Sequence, residues 1–135
     1  MSNINRRSAT FALGLMTVAG ASKTAGAQTT PAGREVAPGV RQVDLGARAS
    51  LLPAYKTLKL QDLVIQPGSA TPDNMMMNDM LCHMTEGELA VRQNENRFVV
   101  KKGDVWACAK GITTEGSKNQ GTTVAVMRII DLLTA

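Results

Sequence analysis

The chain has 135 residues, a formal net charge of +4 and 3% aromatic residues, values that fit one small domain. It contains no basic patch interleaved with aromatic residues, which argues against nucleic-acid binding. Because aromatic side chains are scarce, Val, Leu, Ile and Met are expected to fill the core.

The N-terminal segment, residues 1–27, has the order of an export signal. A charged start with Arg6 and Arg7 precedes the uncharged run "SATFALGLMTVAG", and the small-residue pattern A-x-A ends at Ala27. "NRRSATF" is similar to a twin-arginine signal, but Asn5 replaces the usual Ser or Thr, so the Sec route stays open. The run is short and rich in Gly and Ala for a membrane span, so an uncleaved membrane anchor is the less favoured alternative. We predict cleavage after Ala27, a periplasmic or secreted protein, and no stable membrane insertion afterwards.

Removing this signal takes away three positively charged residues and lowers the formal net charge from +4 to +1. The basic character therefore belongs mostly to the signal. Residues 28–45 begin with "QTTPAGREVAPGV", which is rich in Pro, Gly and Thr, and are predicted to form a flexible leader. Residues 46–135 are predicted to form the folded domain.

Short apolar or alternating runs, separated by turn signals, occupy the rest of the chain. They are "RQVDLG", "YKTLKLQDLVIQPG", "MLCHMTEGELAVRQ" with a break at Gly87, "RFVVKKGDVWACAKG" with a turn at 102–104, and "TTVAVMRIIDLL". None of them keeps a helical period of 3.6 residues. Many short strands at regular spacing predict an all-β sandwich or barrel.

The spacing of the glycines resembles the two motifs of the cupin family, G(X)5HXH(X)3,4E(X)6G and G(X)5PXG(X)2H(X)3N. The first spacing runs from Gly68 to Gly87, and the second runs from Gly103 through Gly111. "MTEGELAV" and "KKGDVW" also look like family sequences, and the resemblance covers roughly residues 55–132. It implies a double-stranded β-helix, or jelly-roll barrel, of two antiparallel sheets.

The resemblance also implies where a metal ion would be held, because the family uses two His and one Glu from the first motif and one His from the second. Asn74, Met76, Met80 and Thr114 stand at these four positions. None of them is an ordinary ligand of iron, manganese or zinc. The usual metal site is therefore predicted to be lost, and a metal-dependent dioxygenase is disfavoured.

Side chains alternate along a strand, and this gives a second prediction for the methionine-rich segment "DNMMMNDMLCHM". If Met80 faces inward, Cys82 and Met84 do so too, and Met76 joins them from the preceding strand. Soft sulfur ligands of this kind select Cu(I), so a copper-binding envelope protein is one hypothesis. The alternative is that the methionines only fill the core. His83, the only histidine, is predicted to face away.

Cys82 and Cys108 are the two cysteines of a chain that is predicted to be exported, where a disulfide is permitted. A disulfide, two buried free thiols, and a metal or redox role all stay open at this point. Trp106 shares the alternation of Cys108 and forms either the floor of a cavity or part of the core.

The function favoured by the sequence is a small-molecule binding module without a cofactor, a metal ion or catalytic residues. The predicted barrel cavity is lined by Asn74, Met76, Met80, Cys82, Trp106, Cys108 and Thr114. The Cu(I) alternative uses Met76, Met80, Cys82 and Met84. An enzyme of unidentified chemistry in the same pocket is the third hypothesis. A homodimer is implied by the resemblance.

Overall fold

The computed structural model describes residues 31–134, which form ten β-strands. The predicted export signal lies outside these described residues. The strands are β1 (Arg34–Ala37), β2 (Val40–Ala49), β3 (Thr57–Ile65), β4 (Ala70–Met75), β5 (Asp79–Glu86), β6 (Glu88–Gln93), β7 (Asn96–Lys101), β8 (Val105–Cys108), β9 (Thr114–Lys118) and β10 (Ala125–Leu133). Within residues 31–134 no helix is both long and apolar enough to span a membrane.

The strands form two antiparallel sheets, and the chain passes between them repeatedly. One sheet has six strands in the order β1-β2-β3-β10-β5-β8, and the other has four in the order β4-β9-β6-β7. This alternation between two sheets is the topology of a jelly roll. It confirms the predicted all-β class and the predicted barrel of two antiparallel sheets.

One of the crossings between the sheets uses a single residue, Gly87, between β5 and β6. Its φ of 72° lies in the left-handed region, which favours glycine. A Cβ at this position would also lie 2.7 Å from the carbonyl oxygen of Val124. Gly87 therefore lets the chain leave one sheet and enter the other without a loop.

The prediction of a flexible leader is wrong over residues 34–45. β1 and β2 form a hairpin in which Ala37 lies opposite Val40, so Pro38 and Gly39 make its turn. Gly39 has a φ of 73°, and Val40 is fully buried in the core. The Pro and Gly that indicated a loop are the turn residues of this hairpin. The folded domain therefore includes most of the segment that was assigned to the leader.

The core lies between the two sheets and consists of aliphatic and sulfur-containing side chains. Its buried members are Val40, Ile65, Cys82, Met84, Leu89, Val91, Val100, Ala125, Met127 and Ile129. Met84 and Met127 lie directly opposite each other in β5 and β10. Flexible methionine side chains thus occupy space that aromatic residues fill in many other cores.

Asn119, directly after β9, fixes the connection to β10. Its Nδ2 donates hydrogen bonds to the carbonyl oxygens of Ile65 and Thr123, at 2.9 and 2.8 Å. Its Oδ1 accepts one from the amide of Gly121 at 2.9 Å. The side chain is 1% exposed, so these bonds replace all of its contact with water.

Candidate functional site

Three side chains with metal-ligating atoms meet between the two sheets: Cys82, Cys108 and Glu115. One ligand atom from each lies within 4.8 Å of the others, and all three residues are buried. Cys82 in β5 and Cys108 in β8 belong to the six-stranded sheet, whereas Glu115 in β9 belongs to the four-stranded sheet. We call these three residues the thiol–carboxylate cluster.

The alternation of β5 brings Cys82 into the cluster. Cys82 and Met84 are buried, whereas Leu81 and His83 between and beside them are exposed. The predicted inward position of Cys82 and Met84 and the predicted outward position of His83 are confirmed. The only histidine therefore has no part in the cluster.

Cys82 and Cys108 are diagonal neighbours across β5 and β8. The register places Cys82 opposite Trp106 and Met80 opposite Cys108. Diagonal residues of an antiparallel pair have Cα atoms roughly 7–8 Å apart, whereas a disulfide joins Cα atoms about 4.4–6.8 Å apart. Both cysteines are free thiols. The strand register therefore favours two free thiols over a disulfide.

Glu115 is held by neutral hydrogen-bond donors. Its Oε1 accepts hydrogen bonds from Cys108 Sγ at 2.9 Å, Trp106 Nε1 at 3.2 Å and Gln93 Nε2 at 3.2 Å. Within residues 31–134 no Lys or Arg forms an ion pair with it. A carboxylate that is only 7% exposed is normally paired with a cation or bound to a metal ion, so this arrangement suits a positively charged ligand.

Gln93 holds Glu115 and Cys108 in position. It lies opposite Glu115 in the pairing of β6 with β9. Its Nε2 also lies 2.8 Å from the carbonyl oxygen of Ala107 and 3.4 Å from Cys108 Sγ. One amide group thus links both sheets at the cluster and orients its carboxylate.

The pKa of the Cys82 thiol is raised well above its ordinary value. The largest cause is its hydrogen bond with Cys108, followed by burial and by the negative charge of Glu115. A raised pKa keeps Cys82 protonated and therefore unreactive at neutral pH. A bound metal cation has the opposite effect, because it displaces the proton of a coordinating thiol.

A second buried carboxylate, Asp131, adds negative charge on the same side of the barrel. It lies opposite Met80 in the pairing of β10 with β5 and is 6% exposed. Burial raises the pKa of Asp131, although Lys59 and a 2.6 Å hydrogen bond from Gln61 Nε2 act in the other direction. Its charge also raises the pKa of Cys82. This end of the barrel interior therefore has a negative potential.

The prediction that Thr114 lines the cavity is wrong. The register places Asn74 opposite Glu115 and Met75 opposite Thr114, and residues directly opposite each other share a face. Asn74 therefore lies on the inner side of its strand, although it is exposed at the rim. Thr114 lies on the outer side, with its Oγ1 4.0 Å from Sδ of Met75. Glu115, which was not predicted, takes the inward position.

A signal for Glu115 was present in the sequence. In the second motif the Asn follows the His by four residues, and Asn119 follows Glu115 by the same interval. A count of the motif positions forward from Gly103 passes through the connection between β8 and β9. This connection is one residue longer than the motif, so the count ends at Thr114 instead of Glu115. Connections tolerate such insertions, whereas a strand does not, so counting back from Asn119 finds the inward residue.

The other predicted cavity residues differ in burial. Cys82 and Cys108 are buried, and Met80 and Trp106 are partly buried and pack against the core. Met76 is partly buried and lies between β4 and β5. Trp106 also contacts Phe98 edge to face, with ring centroids 6.5 Å apart.

Solved structures share this fold, although no protein-family model and no curated protein matches the chain. KdgF from Halomonas sp. is 13% identical, with a TM-score of 0.60 over 73% of this chain and 84% of that one. An RmlC-like cupin from Shewanella frigidimarina is 15% identical, with a TM-score of 0.61 over 76% and 82%. A predicted oxalate decarboxylase from Thermotoga maritima is 20% identical, with a TM-score of 0.57 over 70% and 81%.

The two sheets and these neighbours define the structure as a cupin-type jelly-roll barrel. Identities at this level show the fold alone. Because one fold supports many activities, the barrel does not by itself define a function.

Proposed function

We propose that this protein binds a thiophilic divalent metal ion, represented by Zn²⁺, at the thiol–carboxylate cluster. The observation that carries the proposal is the convergence of Cys82, Cys108 and Glu115 from both sheets within 4.8 Å. Two thiolates and one carboxylate form a ligand set that zinc accepts, with a fourth position for another donor. The barrel would then act as a binding protein for the ion or for a small molecule that completes its coordination.

The charge of the ligands favours a divalent ion over Cu(I). When both thiols are deprotonated, the cluster carries three negative charges, and Asp131 adds a fourth nearby. A divalent cation compensates more of this charge than a monovalent one, which matters most in a buried site of low dielectric. A carboxylate is also a poor ligand for Cu(I), which prefers sulfur.

The hard-metal site of the cupin family does not fit this chain. Three of its four positions hold Asn74, Met76 and Met80, which are not ordinary ligands of a hard metal ion, and only the fourth, which the register of β9 gives to Glu115, holds one. The proposed site shares only Glu115 with those positions and takes its other two ligands from Cys82 and Cys108. No reaction step of a metal-dependent oxygenase can be derived from it.

The predicted Cu(I) site on methionines is less well supported by the geometry. Cys82 belongs to the thiol–carboxylate cluster, and Met80 lies opposite Cys108. Met84, in contrast, is fully buried opposite Met127 in the core. The small-molecule binding module stays a prediction, as does an enzymatic role.

Equilibrium dialysis of the metal-free protein against Zn²⁺ tests the proposal. We expect one ion per chain for the wild type and about a tenfold or greater increase of the Kd for Zn²⁺ in Cys82→Ser, Cys108→Ser and Glu115→Gln, because each removes one of three ligands. His83→Ala is the matched control, since His83 is the ordinary zinc ligand that faces away. Cu(I) that binds wild type and Glu115→Gln equally well would show a copper site on the two thiols instead.

We also propose that the protein is a homodimer through the outer face of its six-stranded sheet. Leu45, Leu81 and Val105 are 43, 42 and 67% exposed there, and an apolar groove of about 410 Å³ runs beside Leu45. An exposed apolar face of this kind marks an interaction surface, and a second copy presents the same apolar face. Light scattering should show a dimer for the wild type and a monomer for Leu81→Lys.

Export remains our proposal for residues 1–27. A reporter fused after Ala27 should reach the periplasm, and replacing Arg6 and Arg7 with Lys should retain it in the cytoplasm if the twin-arginine route is used. Unchanged export of the replaced fusion would indicate the Sec route, and cytoplasmic retention of the unaltered fusion would refute export.

A further inference from the structure

A second candidate site lies on the outer face of the four-stranded sheet, where a surface cavity has a volume of about 470 Å³. Its floor is formed by small residues on neighbouring strands, Ala90 in β6 and Gly116 in β9. Gly116 directly follows Glu115, so it faces away from the thiol–carboxylate cluster. The cavity is therefore separate from the proposed metal site.

The walls of this cavity carry more positive than negative charge. Arg92 and Arg97 lie directly opposite each other in β6 and β7, and Lys118 lies opposite Ala90 in the next strand. Like charges that face each other on one side of a sheet are destabilising. Asp73 is the one acidic residue that lines the cavity, and it forms an ion pair with Arg92.

Two of these three cations have no acidic partner among residues 31–134. In the part of the chain that the structure describes, Arg97 and Lys118 form neither an ion pair nor a side-chain hydrogen bond. Arg97 is exposed next to Val99, which is itself 52% exposed. A guanidinium group thus stands beside an exposed apolar side chain.

Asp73 shows which chemical group the cavity accommodates. A Cβ at position 116 would collide with the carboxylate of Asp73 and would lie 3.2 Å from the carbonyl oxygen of Thr71. The absence of a side chain at Gly116 therefore makes the space in which a carboxylate lies against the sheet beside Arg92. The chain thus places its own carboxylate, that of Asp73, in one part of the cavity.

We propose that this cavity binds a small organic carboxylate with an apolar body. The carboxylate would be bound by Arg97 and Lys118, which form no ion pair with any described residue, next to Arg92. The apolar body would lie over Val99 and Ala90. A guanidinium group binds a carboxylate through two parallel hydrogen bonds, and burial of Val99 adds a hydrophobic contribution that an inorganic anion does not gain.

A titration of the ¹⁵N-labelled protein with hexanoate tests this site by NMR. We expect the backbone amides of Ala90, Val99 and Gly116 to shift together and to give one Kd. 1-Hexanol, the uncharged analogue, and inorganic phosphate, an anion without an apolar body, should both bind at least about tenfold more weakly, because each lacks one of the two contributions.

Two variants shift the affinity in opposite directions. Arg97→Gln removes an exposed guanidinium and should raise the Kd for hexanoate about tenfold. Asp73→Asn removes the competing carboxylate and frees Arg92, so it should lower the Kd. Lys56→Gln, at an exposed position outside the cavity, is the control and should leave the Kd unchanged.

Several outcomes would overturn the proposal. These are the absence of shifts at the three amides, an equal Kd for hexanoate and 1-hexanol, an equal Kd for hexanoate and phosphate, or an unchanged Kd in Arg97→Gln with the rest of its spectrum preserved. An increased Kd in Asp73→Asn would also contradict it, because the ion pair would then be part of the site rather than its competitor.

Discussion

Cys108 donates a hydrogen bond from its Sγ to Oε1 of Glu115 at 2.9 Å, and this contact joins the two sheets across the barrel interior. Cys108 is the last residue of β8, and Glu115 is the second residue of β9. The short connection between these strands carries the chain from one sheet to the other. The proton in this hydrogen bond occupies a position between a sulfur and a carboxylate, and a metal ion that binds both atoms would replace it.

Zinc binding should therefore release protons and strengthen as the pH rises. The hydrogen bond with Cys108, burial and the charge of Glu115 raise the pKa of Cys82, so Cys82 keeps its proton through neutral pH in the metal-free protein. The apparent Kd for Zn²⁺ should fall by about tenfold or more for each pH unit between pH 6 and 8 as ligand protons are displaced. Competition with a chromophoric chelator at three pH values measures this. A Kd that does not depend on pH would indicate ligands other than thiols.

Asp131 should lower stability at neutral pH. Burial raises the pKa of Asp131 in the folded state above the ordinary value of 3.8. Its contribution to the free energy of unfolding is therefore fully present below pH 3.8 and is lost as the pH rises through the pKa of the folded state. Asp131→Asn keeps an acceptor for Gln61 and cannot ionise. The free energy of unfolding of this variant, relative to wild type, should therefore increase between pH 3.5 and pH 7 in urea titrations of the metal-free proteins. A decrease over this range would contradict the assignment of burial as the dominant cause.

Asn119 should be among the most sensitive polar positions. Its amide makes three hydrogen bonds with backbone groups and is 1% exposed. Asn119→Ala leaves these groups unpaired and should lower the free energy of unfolding by about 2–3 kcal/mol. Asn74→Ala, at an exposed position, should change it by less than about 0.5 kcal/mol. Equal effects of the two substitutions in chemical denaturation would refute the structural role of Asn119.

The methionines should divide by burial rather than act as one group. Met84 is fully buried, and Met84→Ala should cost about 2–5 kcal/mol of unfolding free energy. Met77 is 73% exposed, and Met77→Ala should change stability by less than about 0.5 kcal/mol. Thermal denaturation of the two variants gives the comparison. A small effect of Met84→Ala would show that the core around it collapses to fill the space.

Much of the fold could be predicted because the alternation of apolar and polar residues in the sequence matches the alternation of buried and exposed positions in the strands. The alternation of β5 predicts that Cys82 and Met84 face inward and His83 outward, since one side of this strand is buried. β4 was harder to predict, because most of its residues are exposed and leave no apolar alternation. The β1–β2 hairpin was misassigned because Pro38 and Gly39 are equally compatible with a loop and with a tight turn.

The thiol–carboxylate cluster could be predicted only in part. Cys82 and Cys108 were placed on inner faces from the sequence, but their diagonal register depends on strand pairing that no local pattern specifies. Glu115 was missed by one residue because the count crossed a connection between strands. A slip of one residue exchanges the two faces of a strand, and it replaced Glu115 with Thr114 in the predicted cavity.

X-ray absorption at the zinc edge of the loaded protein identifies the atoms that are bound to the metal ion. We expect two sulfur ligands at about 2.3 Å and oxygen ligands at about 2.0–2.2 Å in the wild type, and one sulfur ligand or no bound zinc in Cys108→Ser. A zinc ion bound only by nitrogen and oxygen atoms, or two sulfur ligands retained in Cys108→Ser, would contradict it.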